Sequence, residues 1–441
     1  MNYSTKHLTS RISHESLLFC IVFVFSLLVR AVVLVLAWNT PLSPDAQDYL
    51  EMTRQLLTGH HFVPYWPPGL PLYLSPIVAL GGGTGILRLS MMFFWLLLIY
   101  GLYRLTAILD LKRWAWKILL VLSITPVSIH LSIEPLTQLP VAALLVVMLA
   151  ELLGCIRKAE WREYVTFGIT VGAMALIRPS ALILSFLVIA PAIHSRKFVK
   201  ATVSLLIVAA ICGSWMLKAH EISGRWVFNT SNARNFWYGN NPSTPYYRTW
   251  YFGSHAKPGS LEINLFPTYK QELSELSKLS AFDQQKQFTS LSKQYILQHP
   301  GVFLLRTLNR FRCYWAFDTF TSLNLRKYVP NLLVPSLIAE CITYLAVVGP
   351  AFFCIAAAGA CFWKKIESWI LIGGVALYAA PYWISMSHPT YHFPVILPIA
   401  VAGAVAYNSA SDSWKAIRGW TTVLFLLAIQ VEWLWMMSRQ V

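Results

Sequence analysis

The stretch SLLFCIVFVFSLLVRAVVLVLAW, residues 16–38, is apolar except for two serines and Arg30. A helix of about 20 apolar residues crosses the roughly 30 Å hydrocarbon core of a bilayer. The run is too long for the apolar region of a secretory signal peptide, and no small-residue cleavage site follows it. It therefore predicts a retained first transmembrane helix, with Arg30 close enough to one end to reach lipid phosphates.

The composition extends this prediction to the whole chain. Of the 441 residues, 56% are hydrophobic and 12% are charged, and the mean hydropathy is +0.54. Soluble domains contain about 25% charged residues, so we expect an all-α polytopic membrane protein. The seven cysteines show neither a disulfide framework nor metal-ligand spacing.

About eleven transmembrane helices are predicted, in a single membrane domain that occupies residues 1–441. The predicted spans are 16–38, 84–108, 114–132, 135–155, 164–178, 180–194, 199–218, 334–362, 367–387, 391–408 and 417–437. Between them, residues 39–83 form a first outer loop and residues 219–333 form a mixed outer cap. The Pro-rich segment 67–82 is too short for an ordinary span and is expected to be re-entrant or interfacial.

The net charge of +16 comes from Lys and Arg in the short loops between the spans. A nucleic-acid partner is not expected, because these charges form no basic face. Cytoplasmic loops are enriched in Lys and Arg. With a cytoplasmic N-terminus, every short inward loop is basic, and the polar residues of interest face the outer side.

The segment SPDAQDYLEMTRQ, residues 43–55, follows the first span. Ser43 and Pro44 are typical of a helix start, and Gly59 is a plausible stop. Asp45 would lie in the first turn, where the helix dipole favours the ionised carboxylate. Asp45 could act as a general base or simply complement the dipole; Tyr49, one turn on, could share its face or anchor the helix at the interface.

This loop resembles the first outer loop of type C glycosyltransferases, in the polyprenyl-phosphate-sugar-dependent family that includes protein O-mannosyltransferases and the lipid A aminoarabinose transferase. The matching segments are PDAQDYLEMTRQLLTGHHF, residues 44–62, and YWPPGLPLYL, residues 65–74. Asp45, Tyr49, Gly59 and Pro67–Pro68 match the family pattern. Four later segments resemble the family in the same order: SIEPL (132–136), ALIRPSALIL (175–184), GRWVFNTSNARNFWYGNNP (224–242) and YHFPVILP (391–398).

The sequence also departs from the family. The aminoarabinose-transferase branch has basic residues where Asp48 and Trp66 stand here, and it often has Arg where this chain has Thr390. If those basic residues hold the lipid phosphate, other residues must do so in this protein. Asp48 is then expected to position sugar hydroxyls, with Tyr49 and Trp66 also contacting substrate.

Further candidate binding residues lie at the outer ends of later spans. Glu134 could bind a sugar hydroxyl, a metal or an arginine, or stabilise a helix start. Arg178 could hold the carrier phosphate or contact lipid headgroups in general. His388, Tyr391 and His392 form one corner, and Asn240 lies in the turn YGNNPST, residues 238–244. No Asp-x-Asp, Gly-rich phosphate loop or His-Glu-x-x-His motif occurs, so no metal or other cofactor is expected.

The resemblance implies an inverting glycosyltransferase of the cytoplasmic membrane with its active site on the outer (periplasmic) side. Its donor would be a polyprenyl-phosphate-linked sugar, and its acceptor a hydroxyl of a glycan, lipid or protein. Asp45 would be the general base, and an outward Arg or Lys would stabilise the departing phosphate. Two alternatives are a glycan polymerase or ligase that uses a diphosphate-linked oligosaccharide and a lipid-linked sugar transporter.

Overall fold

The computed structural model describes residues 14–59, 62–246, 267–325, 330–409 and 417–438, and these ranges contain helices and no β-strand. The α-helices are α1 His14–Ala37, α2 Pro44–Thr58, α3 Gly69–Ala79, α4 Thr84–Ile108, α5 Lys112–Ile124, α6 Pro126–Leu131, α7 Gln138–Arg157, α8 Trp161–Ile177, α9 Ile189–Ser195, α10 Phe198–Ser223, α11 Ser231–Gly239, α12 Pro267–Ser277, α13 Ala281–Gln298, α14 Pro300–Tyr314, α15 Phe320–Leu325, α16 Leu333–Ala358, α17 Ala360–Trp363, α18 Ile366–Ile384, α19 Phe393–Tyr407 and α20 Ile417–Ser438. Short 3-10 helices occupy Pro179–Val188, Pro330–Leu332 and Pro389–His392. The all-α prediction is therefore confirmed for the described residues.

Seven helical segments are long and apolar enough to cross a membrane, which confirms the prediction of a multi-pass membrane protein. They are α1, α4, α7, α10, α16, Pro389–Tyr407 and Ile417–Trp435. The other four predicted spans are also helical, but none of their helices combines the length and the hydropathy of these seven segments. They are α5 with α6, α8, the segment Pro179–Ser195, and α18. Helix α3 is too short to cross, as its sequence indicates.

Helix α7 forms the centre of the bundle. From Gln138 to Cys155 all its residues except Leu144 are buried, and α4, α8 and α19 pack around it. A helix that is apolar on every side is stable only where neighbours cover all its faces. The interior position of α7 brings the residues that precede it, Glu134 and Thr137, to the middle of one end of the bundle.

Arg30 does not reach towards lipid phosphates, contrary to the expectation from its position in the first span. Its guanidinium is fully buried and donates hydrogen bonds to the Ser26 side chain, to the Ser128 hydroxyl and to backbone carbonyls of α5. It also stacks 3.4 Å from the ring centre of Trp95 on α4. Because these acceptors and the indole ring surround the buried guanidinium, Arg30 ties α1 to α4, α5 and α6 instead.

The basic loops meet at one end of the bundle. Arg157 bonds the Ile108 carbonyl and lies 3.3 Å from the Asp110 carboxylate and 3.5 Å from that of Glu367. In the same region Arg113 donates to the Asn408 side chain at 2.6 Å, and Arg418 donates to the Ala357 carbonyl. These contacts join loops that are far apart in sequence, so the predicted inward loops share one end.

At the opposite end, a buried ion pair fixes the start of α2. Arg88 donates to the carbonyls of Ala37, Thr40 and Pro41 at 2.8–3.1 Å and to the Glu134 carboxylate at 3.0 Å. The second oxygen of Glu134 accepts the backbone N–H of Ser43 at 2.6 Å. Ser43 is the residue before α2, as predicted, although its side chain makes no capping bond. The start of α2, and with it Asp45, is therefore held by Glu134.

The outer cap is helical where it is described; residues 247–266 and 326–329 of the predicted cap lie outside the described residues. Two arginines of α14 organise it from within. Arg306 bonds the carbonyls of Asn241 and Thr244, and Arg310 bonds those of Gly239 and Ile384. Both arginines are buried, because they bond the carbonyls at the ends of α11 and α18.

The ion pair at the start of α2 gives a stability prediction. Replacing Glu134 by Gln should leave the Arg88 guanidinium buried without its counter-charge, which typically costs about 3–5 kcal/mol. Thermal unfolding of the detergent-purified protein should show a clear loss of stability. Glu221→Gln, at the exposed Lys218–Glu221 pair, is the control and should change it by less than about 1 kcal/mol. Equal unfolding temperatures for the two variants would contradict this role of Glu134.

Candidate functional site

A two-lobed cavity lies at the end of the bundle opposite the basic loops, where the loop after α1, the start of α7, the corner after α8, helix α11 and the corner before α19 meet. The lobe lined by Asp45 and Asp48, here called the acidic lobe, has a volume of about 460 Å³; the second lobe has about 430 Å³. Both lobes are lined by Tyr49, Trp66, Arg178, Asn235, Met386 and Tyr391. These shared walls make them two parts of one site.

Asp45 and Asp48 both line the acidic lobe. Asp45 lies in the first turn of α2, two residues after Ser43. There the helix N-terminus favours its ionised form. Asp48 lies almost one turn later and lines the same lobe as Asp45. The two acids thus present acceptor groups to one space.

Tyr49 is buried between the lobes, against the ring of Trp66 at 5.3 Å between centres. Burial raises the pKa of Tyr49 to about 12, although Arg178 and the Thr137 hydroxyl act in the opposite direction. Tyr49 is therefore a neutral phenol at pH 7 and cannot serve as a base. In the acidic lobe, that role is left to a carboxylate.

Arg178 stands at the junction of the two lobes, in extended backbone between α8 and the 3-10 helix that begins at Pro179. It donates to the Thr137 hydroxyl at 2.7 Å and to the Tyr382 hydroxyl at 3.3 Å. Its guanidinium also lies 5.2 Å from the ring centre of Tyr391. Among the described residues, no carboxylate lies within 4.0 Å of it, so its charge is oriented but not neutralised by an ion pair. Such a guanidinium suits an anionic ligand.

Arg178 is charged at pH 7 despite its partly buried position, because arginine is not deprotonated in proteins. Burial alone would lower the pKa of its guanidinium, but the surrounding tyrosine hydroxyls, that of Tyr382 first, raise it overall. The rings of Tyr382 and Tyr391 stack at 4.8 Å beside it. Together they form a rigid aromatic wall behind the cation.

Arg234 also lines the acidic lobe, and the sequence analysis did not select it. It is on α11, where Asn235 and Tyr238 reach the same lobe. Its guanidinium lies 3.4 Å from the Tyr65 hydroxyl and 5.5 Å from the ring centre of Tyr238. Burial acts to lower the pKa of Arg234, but Tyr238 and Tyr65 raise it. Helical spacing within SNARNFWYG was the signal that could have identified this face.

Asn240 lies outside the cavity lining, although it was a predicted sugar-binding residue. Its amide donates to the carbonyls of Phe236 and Ile384, and its oxygen accepts from Arg310. The side chain is fully buried and fully used in joining α11 to α18 and α14. Glu134 also lies outside the cavity lining. It bonds Arg88 and the Ser43 N–H, which agrees with the predicted alternative that it binds an arginine.

Of the predicted corner formed by His388, Tyr391 and His392, only the tyrosine lines the two-lobed cavity. Tyr391 enters both lobes of the cavity. His388 pairs with the Thr390 hydroxyl at 2.8 Å, and the Nδ1 atom of His392 lies 2.7 Å from the Tyr314 carbonyl. The two histidines therefore lie outside the lining of the cavity.

Gly69 brings the Pro67–Pro68 segment against the Arg178 corner. A Cβ atom at Gly69 would lie 2.7 Å from the Ile177 nitrogen and 2.5 Å from its side chain. Pro67 and Ile177 both line the second lobe. The glycine of the PPG sequence is thus required for α3 to approach α8 at the floor of the site.

A family model described as Domain of unknown function (DUF8201) matches residues 80–236. This range is less than half of the chain; it includes Glu134, Arg178 and Arg234, and it excludes α2 with Asp45. No curated protein matches the chain.

The close approach at Gly69 gives a second prediction. Gly69→Ala should force α3 away from α8, and overpacking of this kind typically costs about 1–3 kcal/mol. Gly213→Ala is the matched control, because a Cβ atom there meets no atom within 4 Å. The control should be neutral or slightly stabilising, since Ala favours a helix interior. Thermal unfolding measures the stability of both variants. An unchanged unfolding temperature of Gly69→Ala would contradict the close approach of α3 to α8.

Proposed function

We propose that this protein is an inverting glycosyltransferase of the cytoplasmic membrane that transfers a sugar from a polyprenyl-phosphate carrier to an acceptor hydroxyl on the outer face. The main support is one arrangement: a carboxylate, Asp45, and an oriented guanidinium, Arg178, face the same cavity from different elements. This is the pair that glycosyl transfer from a lipid phosphate needs, namely a base for the acceptor and a cation for the leaving group.

In the proposed reaction, Asp45 accepts the proton of the acceptor hydroxyl while its oxygen attacks the anomeric carbon. The bond between that carbon and the phosphate oxygen breaks, and the electron pair leaves with the lipid phosphate. Attack from the face opposite the phosphate inverts the anomeric configuration. Arg178 stabilises the charge on the departing phosphate. A phosphate is already a good leaving group, so no second acid is required.

The second lobe is suited to the lipid end of the donor. Beyond Arg178 its walls include Ile177, Pro179 and Ile384. The 3-10 helix that continues from Pro179 exposes apolar side chains, with Phe186 62% accessible. A polyprenyl chain could follow this surface into the bilayer while its phosphate stays at Arg178.

The acidic lobe would then receive the sugar and the acceptor. Asp48 and Gln138 offer hydrogen-bonding groups to hydroxyls, and Trp66 and Tyr391 offer flat apolar walls, as is usual for small-molecule sites. Asp48 and Trp66 stand where the aminoarabinose-transferase branch has basic residues. Arg234 lines the same lobe and supplies a cation that those positions lack.

The proposed orientation follows from the distribution of charge. The basic loops share the end opposite the cavity. Cytoplasmic loops carry the excess of Lys and Arg, so the cavity would face the outer side. In this scheme the four shorter helical segments also cross, which gives eleven spans and the arrangement of a type C glycosyltransferase.

One observation favours a second candidate, a transferase that uses a diphosphate-linked sugar or oligosaccharide. Arg178 and Arg234 lie in one cavity, and two guanidiniums could hold two phosphates. The distinguishing experiment incubates purified protein with synthetic polyprenyl-phosphate and polyprenyl-diphosphate sugars. Release of lipid monophosphate from the first donor supports the proposal, and turnover of the diphosphate donor alone supports the alternative.

Asp45 gives the test of the proposed base. Asp45→Asn keeps the size of the side chain but cannot take up the proton, so turnover should fall by about 10²- to 10⁴-fold. Donor binding and thermal stability should stay close to wild type. Asp48→Asn is the matched control on the same helix and should cost less, because several contacts share its positioning role. Near-normal turnover of Asp45→Asn would exclude it as the base.

Arg178 gives the test of the phosphate site. Arg178→Gln should weaken binding of the polyprenyl-phosphate sugar by about 10- to 100-fold, since hydrogen bonds to charged groups contribute about 1.5–3 kcal/mol. Arg54→Gln removes an exposed cation from α2 and should leave donor affinity unchanged. Affinity is measured by titration of the donor into detergent-purified protein. Equal donor affinities of the two variants would show that Arg178 does not hold the phosphate.

A further inference from the structure

An elongated groove lies between α5, α16 and α19, towards the end of the bundle where the basic loops meet. Its volume is about 150 Å³. Each helix lines it with residues from successive turns of one face: α16 between Ala346 and Cys354, α19 between Ala400 and Tyr407, and α5 at positions 114, 117, 118 and 121. Residues at this spacing form a row along a helix. The groove therefore runs beside the helices for two turns, or about 10 Å.

The groove is apolar and opens on the outside of the bundle. Ala346 and Pro350 on its α16 wall are exposed, and 51% of Tyr407 is accessible at its rim. Two of its three helical walls, α16 and the segment Pro389–Tyr407, are long and apolar enough to cross a membrane. A groove of this shape and lining fits a hydrocarbon chain that enters from the bilayer.

Aromatic rings and a cation lie at the rim of the groove. The ammonium of Lys117, which lines the groove, lies 4.9 Å from a ring centre of Trp114 and 5.5 Å from one of Trp116. The Trp114 ring packs against the Tyr407 ring at 5.3 Å between centres. Because Trp and Tyr are enriched where lipid headgroups meet hydrocarbon, this rim belongs at headgroup depth.

The rim is also positively charged. Helix α5 contains Lys112, Arg113 and Lys117 and no acid. The Glu15 carboxylate approaches the rim, where it accepts from the Trp116 indole at 2.6 Å. Among the described residues, neither lysine of α5 forms an ion pair. The rim therefore suits a ligand that carries a negative charge at the end of an apolar chain.

We propose that this groove binds one phospholipid with an anionic headgroup, with an acyl chain between the three helices and the phosphate beside Lys117. Basic pockets between transmembrane helices on the cytoplasmic side bind anionic headgroups of this kind. In the orientation proposed above, the groove lies in the cytoplasmic leaflet, whose surface is anionic. Sugar transfer plays no part in this inference, and lipid binding is measured without it.

Charge distinguishes this occupant from a segment of the chain itself. Residues 1–13, which lie outside the described residues, carry Lys6 and Arg11 and no acid. They would add positive charge to a rim that is already positive. A polyprenyl phosphate has the same chemistry as the proposed ligand, but its proposed site is at the opposite end of the bundle.

The first experiment compares headgroups. Detergent-purified, delipidated full-length protein is titrated with phosphatidylglycerol or phosphatidylcholine of the same acyl chains, and native mass spectrometry counts the bound lipids. One phosphatidylglycerol should bind about fivefold more tightly than phosphatidylcholine, which is the effect of one cation near an anionic lipid. Lys117→Gln should remove this preference. Lys158→Gln, which removes an exposed cation from the same end of the bundle, should keep it.

The second experiment fills the groove. Ala346→Leu adds a larger side chain at its open side and should weaken binding of both lipids severalfold. Ala210→Leu is the matched control on α10, because this alanine is also exposed and lines no part of the groove. The control should bind both lipids as the wild-type protein does. Both substitutions place an apolar side chain towards the bilayer, so both proteins should fold.

Three results would overturn the proposal: equal binding of the two lipids, equal loss of the preference in Lys117→Gln and Lys158→Gln, or unchanged phosphatidylglycerol binding in Ala346→Leu. Polyprenyl phosphate is titrated in parallel. If it binds in a Lys117-dependent manner and phosphatidylglycerol does not, the occupant is the carrier lipid and the proposal is wrong. A dimer that Ala346→Leu abolishes would identify a second copy of the chain as the occupant and would also contradict it.

Discussion

The buried ion pair between Arg88 and Glu134 determines the geometry at the cavity end of the bundle. Two charges of opposite sign are removed from water there, which is costly unless further hydrogen bonds complete both groups. Arg88 donates further hydrogen bonds to the carbonyls at and after the end of α1. Glu134 accepts a further hydrogen bond from the Ser43 N–H. The loop between the first span and α2 is therefore fixed by residues of α4 and the start of α7. Every distance from Asp45 to the rest of the cavity depends on this pair.

The arginines around the cavity are also positioned by the groups that they bond. Arg178 is oriented by hydroxyls and aromatic rings rather than by a carboxylate, so its charge is positioned and still open to an anion. By contrast, Arg310 is surrounded by carbonyls, and its charge is used entirely to hold the ends of α11 and α18. The groups that an arginine bonds thus distinguish a candidate ligand site from a structural one, although both arginines lie at the same end of the bundle.

Much of the helical framework could be predicted from sequence, because hydropathy and helix-end signals are local. The span at 84–108 and the helix from Pro44 to Gly59 appear where the residues indicated. The partners of polar side chains are not local, and they could not be predicted. Arg30 was expected to contact lipid headgroups, but its side chain joins helices inside the bundle. In the segment around α11, Asn240 was chosen for its turn chemistry, while Arg234 on the preceding helix reaches the cavity.

The proposed transfer requires a division of labour: Arg178 would hold the donor phosphate at the junction of the lobes, and Asp45 would face the anomeric carbon from the acidic lobe. A cryo-electron microscopy structure with a non-hydrolysable polyprenyl phosphonate sugar tests this most directly. The account predicts the phosphonate within hydrogen-bonding distance of the Arg178 guanidinium, the lipid chain leaving through the second lobe, and the sugar between Arg178 and Asp45. A phosphonate bound away from Arg178, or a sugar on the side of the cavity that Asp45 does not reach, would contradict it.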